Sequence, residues 1–140
     1  MTQTIYPYLL YHSCEDALEW LSRAFGFEET LRYTGEAGYV NHAEMRLGDA
    51  TIMMGDPGES YRTPAQLGGT THGTHVYVDD VDAIFERARA AGAEIREEPT
   101  DKPYGDRSFT ARDPEGHEWF VATHIRDVPL EEWGGVASDG

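Results

Sequence analysis

His75 is the side chain with the clearest chemical opportunity in this sequence. In the run Gly73-Thr74-His75-Val76-Tyr77 the alternation of a strand puts His75 and Tyr77 on one face. An imidazole there can bind a metal, move a proton or hydrogen-bond a ligand; an ordinary cavity or core histidine is the competing reading. The other histidines have plainer explanations. His12 ends the first strand, His42 can face either side of its strand, His72 lies near a connector, His117 follows a turn and His124 sits near the end of the last strand. His42 and His75 would form a polar clamp if the fold brought them together. The single Cys14 cannot form an internal disulfide, and it falls on the apolar side of a helical stripe. It reads as an inert buried thiol in a reducing compartment.

These residues are positioned by a plan that occurs twice. Ile5 to Pro57 and His72 to Ile125 each read as a strand, a helix and three more strands. Asp16-Ala17 opens a helix that closes at Phe25-Gly26, and Asp82-Ala83 opens one that closes at Ala91-Gly92. Glu28 with Glu94 and Arg46 with Arg112 keep the same offset into the later strands. Ser13 and Asp80 are the expected N-caps. Cys14, Ala17, Leu18, Leu21 and Phe25 form one apolar stripe, and Val81, Ile84, Phe85, Ala88 and Ala91 form the other, so both helices should lie on a sheet. Gly48-Asp49 and Asp113-Pro114-Glu115-Gly116 join the last two strands of each module. The division is module one at 5–57, a connector at 58–71, module two at 72–125 and a tail at 126–140. The fold class expected is α+β, with the modules sharing one core, because 140 residues are too few for two independent ones.

Eleven Lys plus Arg against 26 Asp plus Glu give a formal charge of −15, which opposes binding to nucleic acid or an anionic membrane. The charge serves solubility, or it attracts a cationic ligand; charge alone does not separate the two. No apolar run approaches spanning length and the N-terminus lacks signal-peptide features, so a cytoplasmic protein is expected.

The paired modules, the segment Pro7-Tyr8-Leu9, the helix end Arg23-Ala24-Phe25-Gly26-Phe27, the run Tyr77-Val78-Asp79-Asp80-Val81-Asp82 and the segment Asp113-Pro114-Glu115-Gly116-His117-Glu118-Trp119 resemble the glyoxalase/bleomycin-resistance/dioxygenase family, the vicinal oxygen chelate superfamily. The resemblance covers nearly the whole chain. It implies two tandem βαβββ modules that form a cupped mixed sheet with the helices outside, a ligand or metal in the cup and, as in many members, a homodimer. It does not carry one activity, because the fold hosts isomerases, lyases, thiol transferases, ring-cleaving dioxygenases and drug-binding proteins.

Metalloenzymes of that family take ligands from the first and last strand of each module. The corresponding positions here are Tyr6, Met53, Gly73 and Phe120, none a usual ligand for such a divalent metal. A slip of two residues preserves the strand face and offers Tyr8, His75 and, against the register of the Asp-Pro-x-Gly turn, Glu118. The expected cup lining is Tyr6, Tyr8, Met53, His75, Tyr77 and either Trp119 or Phe120, with His42 and Phe109 as further candidates. Neighbouring strand residues face opposite ways, so at most one of Trp119 and Phe120 lines the cup. An aromatic and thioether lining fits a flat or apolar organic ligand, and plain core packing is the alternative. The segment Lys102-Pro103-Tyr104-Gly105-Asp106-Arg107 resembles a recurrent rim loop of a metal-poor branch; Asp106 or Arg107 would contact a polar ligand, or Arg107 would simply pair with a nearby acid.

The expectation is therefore metal-independent binding of a small organic molecule, cationic or aromatic, as in resistance or sequestration, with no cofactor. A lyase, isomerase or dioxygenase with shifted metal ligands such as His75 and Glu118, or a metal-free catalyst using His75 as acid or base, is the alternative, and whether the chain is an enzyme stays open. A third reading has the cup filled and the dimer surface active.

Overall fold

The structure is a computed structural model that describes residues 2–139. Each module folds as expected. The first comprises β1 (Tyr8–Leu10), α1 (Cys14–Phe25), β2 (Glu28–Thr34), β3 (Val40–Leu47) and β4 (Ala50–Gly55). The short α2 (Pro64–Leu67) follows, then β5 (Gly73–Tyr77), α3 (Val81–Ala90), β6 (Glu94–Asp101), β7 (Asp106–Arg112), β8 (Glu118–His124) and α4 (Leu130–Trp133). The strands form two four-stranded sheets, ordered β1-β4-β3-β2 and β5-β8-β7-β6. The first strand of each module runs parallel to its last strand, and the other pairings are antiparallel.

Both helices begin where the capping chemistry places them. Ser13 Oγ accepts from the Asp16 amide at 3.2 Å and Asp80 Oδ1 accepts from the Ala83 amide at 3.1 Å. Gly26, with φ of 84°, ends α1 in the left-handed region that a side chain disfavours. Three connections lock α1 to α3. Trp20 Nε1 donates to the Ala91 carbonyl at 2.9 Å, and the Arg87 guanidinium donates to the Arg23 and Ser22 carbonyls that close α1. The modules thus share one core, which holds Leu21, Phe25, Phe27, Met45, Met54, Phe109, Trp119 and Val121.

The Asp-Pro-x-Gly turn joins the modules a second time. Asp113 Oδ2 accepts the Tyr11 hydroxyl at 2.6 Å and Trp119 Nε1 at 3.1 Å, while its Oδ1 takes the amides of Glu115 and His117. Glu115 in turn accepts the amides of His12 and Ser13, and His117 Nε2 donates to the Leu10 carbonyl at 2.7 Å. Burial, and then the Asp113 carboxylate beside it, push the Tyr11 phenol well above its ordinary pKa, so this hydroxyl stays a donor.

Two boundaries differ from the sequence reading. The first strand covers only Tyr8–Leu10 rather than 5–12, because its pairing with Met53, Met54 and Gly55 stops there and Pro7 supplies no donor. Tyr6 consequently precedes the strand. The connector is not without structure: Thr63 and Gln66 form a capping box around Pro64, which starts α2. No helix among the described residues is long and apolar enough to cross a membrane.

Candidate functional site

The open strands β1 and β5 border one cleft of about 850 Å³. Tyr6, Tyr8 and His75 line it together with Gly73, His72 and Tyr61. Three of the expected ligand-binding residues therefore meet at one place, contributed by both modules. Tyr8 and His75 occupy corresponding positions, Tyr8 opposite Met53 on β4 and His75 opposite Phe120 on β8.

Register decides which neighbours share the open faces. On the first sheet Tyr8, Met53, Glu44 and Leu31 form one cross-strand row, and Leu10, Gly55, His42 and Tyr33 the next. On the second, His75, Phe120 and Thr110 form a row beside that of Tyr77, Ala122 and Ser108. Phe120, His75 and Tyr77 make an aromatic group: the His75 ring stacks on Phe120 with planes 20° apart and lies 5.0 Å from the Tyr77 ring centre.

Trp119 and Phe109 do not line the cup. Both are fully buried on the opposite faces of β8 and β7. Trp119 packs on Phe25 and Phe27 and Phe109 on Phe85, where the helix stripes require large apolar partners. Of the two, only Phe120 stands on the open face, and neither is among the residues that line the cleft.

Polar groups on these faces are hydrogen-bonded in two sets. Tyr8 Oη lies 3.2 Å from His42 Nδ1, and His42 Nε2 lies 3.2 Å from Glu44 Oε2. His42 thus meets Tyr8 rather than His75. Glu44 did not figure among the sequence candidates, although the alternation in His42-Ala43-Glu44 already puts it on the face of His42. In the second set Tyr77 Oη donates to Asp106 Oδ2 at 2.7 Å, and His124 bridges Asp106 and Asp127 at 3.0 and 2.7 Å. Burial raises the Asp106 pKa, but the Tyr77 and His124 bonds outweigh it and hold the carboxyl below its usual range. Asp127, then Asp106, raise the His124 pKa, and the bond to Asp106 raises that of Tyr77. Arg107 pairs with Asp82 and Asp101, so of its two readings the structure shows the ion pair.

The donor set does not fit the metal of the family's enzymes. Of the four positions, Tyr6, Met53, Gly73 and Phe120, none offers an imidazole or carboxylate, and the Phe120 ring lies where a side chain at residue 73 would project. The shifted pair is not cross-strand matched either, since Glu118 stands opposite Gly73 and His75 opposite Phe120. Among the described residues no three His, Cys, Asp or Glu side chains converge as a metal site.

The family model of the Glyoxalase/Bleomycin resistance protein/Dioxygenase superfamily matches residues 8–121. The chain belongs to this superfamily. An uncharacterised protein of Mycobacterium bovis is 35% identical over 131 residues, covering 90% of this chain and 86% of that protein. TioX from Micromonospora sp. ML1 is 36% identical with a TM-score of 0.72, covering 89% of this chain and all of the TioX chain. The fosfomycin resistance protein FosX from Listeria monocytogenes, at 18% identity and a TM-score of 0.64 over 94% of this chain and 98% of its own, shares the fold alone. The two sheets are the tandem βαβββ modules of this superfamily.

Proposed function

We propose that this superfamily member binds a small aromatic organic molecule, without a metal, in the cleft between β1 and β5, in a resistance or sequestration role. The observation that carries the reading is the exchange of chemistry at the family's metal positions. Tyr6, Met53 and Phe120 stand at three of them and Gly73 at the fourth, and Tyr6, Tyr8 and His75 from both modules face one cleft large enough for a drug-sized ligand. Stacking and desolvation supply affinity in such a site. The formal charge of −15 favours a cationic aromatic over an anionic one. Membership of a superfamily that includes bleomycin resistance proteins supports the role. The exposed Leu31 and Tyr33 on β2 offer a second copy an apolar surface, and we read the working form as a homodimer.

Elemental analysis of protein purified without chelator, with thermal melting in nickel, zinc, manganese and ferrous iron, tests the metal-free part. No bound metal and no saturable shift are expected; a stoichiometric metal would overturn it. Calorimetry with (2-naphthylmethyl)ammonium tests the cleft. Saturable binding that Tyr6→Ala and His75→Ala each weaken is expected, and heats that do not saturate would sink the reading.

A further inference from the structure

We infer that the cleft continues across the seam between the two sheets into a second, apolar compartment, and that its ligand is elongated, with a flat aromatic head in the cleft and an apolar arm in the compartment. The inference rests on the cleft reading and adds the shape and class of the ligand.

The seam begins with Pro7. Pro7 supplies no amide, and β1 starts only at Tyr8. The Pro7 carbonyl still takes the Met53 amide, but further back the Gln3 side chain stands in for the ladder: its Nε2 donates to the Thr51 carbonyl at 2.8 Å and its Oε1 accepts the Thr51 amide at 2.7 Å. On the other side β5 is the edge of its own sheet and pairs with β8. The two sheets are separate, so these edges meet without a shared hydrogen-bond ladder.

A second cavity, of about 470 Å³, lies along the same seam. Its wall has four residues in common with that of the cleft: Ile5 and Pro7 from the first module, Thr74 and His75 from the second. The shared residues are thus the two lips of the seam, and a molecule seated in the cleft needs only to pass between them. Ile5 is 79% exposed at this junction, an apolar side chain that a crossing ligand would cover.

Chemistry separates the compartment from the cleft. Phe27 and Ile52 of the core, with Leu47 and Val76 packed against it, form much of its lining. The Gln3 amide is spent on Thr51 and the Tyr77 hydroxyl on Asp106, while Asp49 is exposed to solvent. A polar arm would give up hydration there for few partners, whereas an apolar arm gains by leaving water. The compartment is therefore suited to hydrocarbon, and His75, which lines both cavities, marks the turn from ring to arm.

Calorimetry on the full chain tests this with two probes, N-methyl- and N-butyl-(2-naphthylmethyl)ammonium, which carry the same ring and charge. They differ by three methylenes, each worth up to about fourfold when fully buried, so the butyl probe should bind at least about tenfold more tightly. Val76→Phe and Ala50→Phe each place bulk in the compartment at positions that do not line the cleft. Either should cut the gain from the butyl arm to less than about threefold and leave the methyl probe within about twofold of its original affinity. Tyr6→Ala, which alters the cleft alone, should weaken both probes by the same factor. Ala50 is exposed, so its variant is expected to fold even if Val76→Phe does not, and circular dichroism checks both. A butyl probe no tighter than the methyl probe, or a gain that survives Ala50→Phe and a folded Val76→Phe, would overturn the inference while leaving the cleft reading intact. If neither probe binds, the cleft reading itself fails and takes this one with it.

Discussion

The ring of Phe120 lies across Gly73: a Cβ at residue 73 would stand 3.1 Å from Cδ2 of that ring and closer still to Cε2. Tyr8 and Gly55 repeat the relationship on the first sheet. In each module an aromatic side chain on one strand of the parallel pair covers a glycine on the other, Tyr8 of the edge strand β1 over Gly55 of β4 and Phe120 of the inner strand β8 over Gly73 of the edge strand β5, so the open face carries a ring where a polar side chain would otherwise project.

That overlap predicts a coupled pair. Gly73→Ala should destabilise the chain by about 1–3 kcal/mol through overpacking. The same change in a Phe120→Ala background should cost much less, because the obstructing ring is gone. Urea denaturation of the four proteins of this double-mutant cycle reads the coupling, and additive effects would show that the ring has room to move aside.

Asp113 should be the costliest polar residue to remove. Asp113→Ala leaves the Tyr11 hydroxyl and the Trp119 indole N–H without their acceptor inside the core, at about 1–3 kcal/mol for each orphaned donor. Tyr11→Phe removes one donor and should cost less than Asp113→Ala. Chemical denaturation in the same buffer orders the two.

Stability should peak in mildly acidic solution as far as Asp106 and His124 are concerned. The Asp106 pKa is lowered in the fold, so its contribution is present above the ordinary range near 4 and is lost as pH falls through the folded value. The His124 pKa is raised, so its contribution is complete below about 6.5 and is lost as pH rises through the folded value. His124→Gln should flatten the decline on the alkaline side of that window, and Asp106→Asn should flatten the acid side. Urea midpoints measured from pH 3 to 9 check both limbs.

Cys14 should ignore thiol reagents while the protein is folded. Burial first, and then the charges of Asp56, Glu115 and Glu15, push its thiol up to about 12, so almost no thiolate exists at pH 8. Labelling with an aromatic disulfide reagent should proceed only as fast as the chain opens, and rapid labelling of the folded protein would contradict the buried position.

Much of this was legible in the residues. The repeated anchors Asp16-Ala17 and Asp82-Ala83, the caps Ser13 and Asp80 and the glycines that close the helices act over a few neighbouring residues, so both modules could be read in order. Alternation also brought out His75 beside Tyr77 and offered Trp119 and Phe120 as exclusive choices. It did not reveal α2, whose capping box Thr63–Gln66 sits inside a stretch of turn-forming residues. Nor could it assign Phe109, because β7 alternates without saying which face meets α3.

By itself the sequence determined the two βαβββ modules and the amphipathic faces of α1 and α3, since these depend on side-chain type and local periodicity. Tertiary structure decided the rest. Trp119 turned inward because Asp113 and the α1 stripe hold it there, and Tyr8 met His42 because Gly55 leaves a passage across β4. Such contacts join residues far apart in the chain, and their geometry depends on strand register and on volumes that neighbours leave empty, neither of which a local pattern contains.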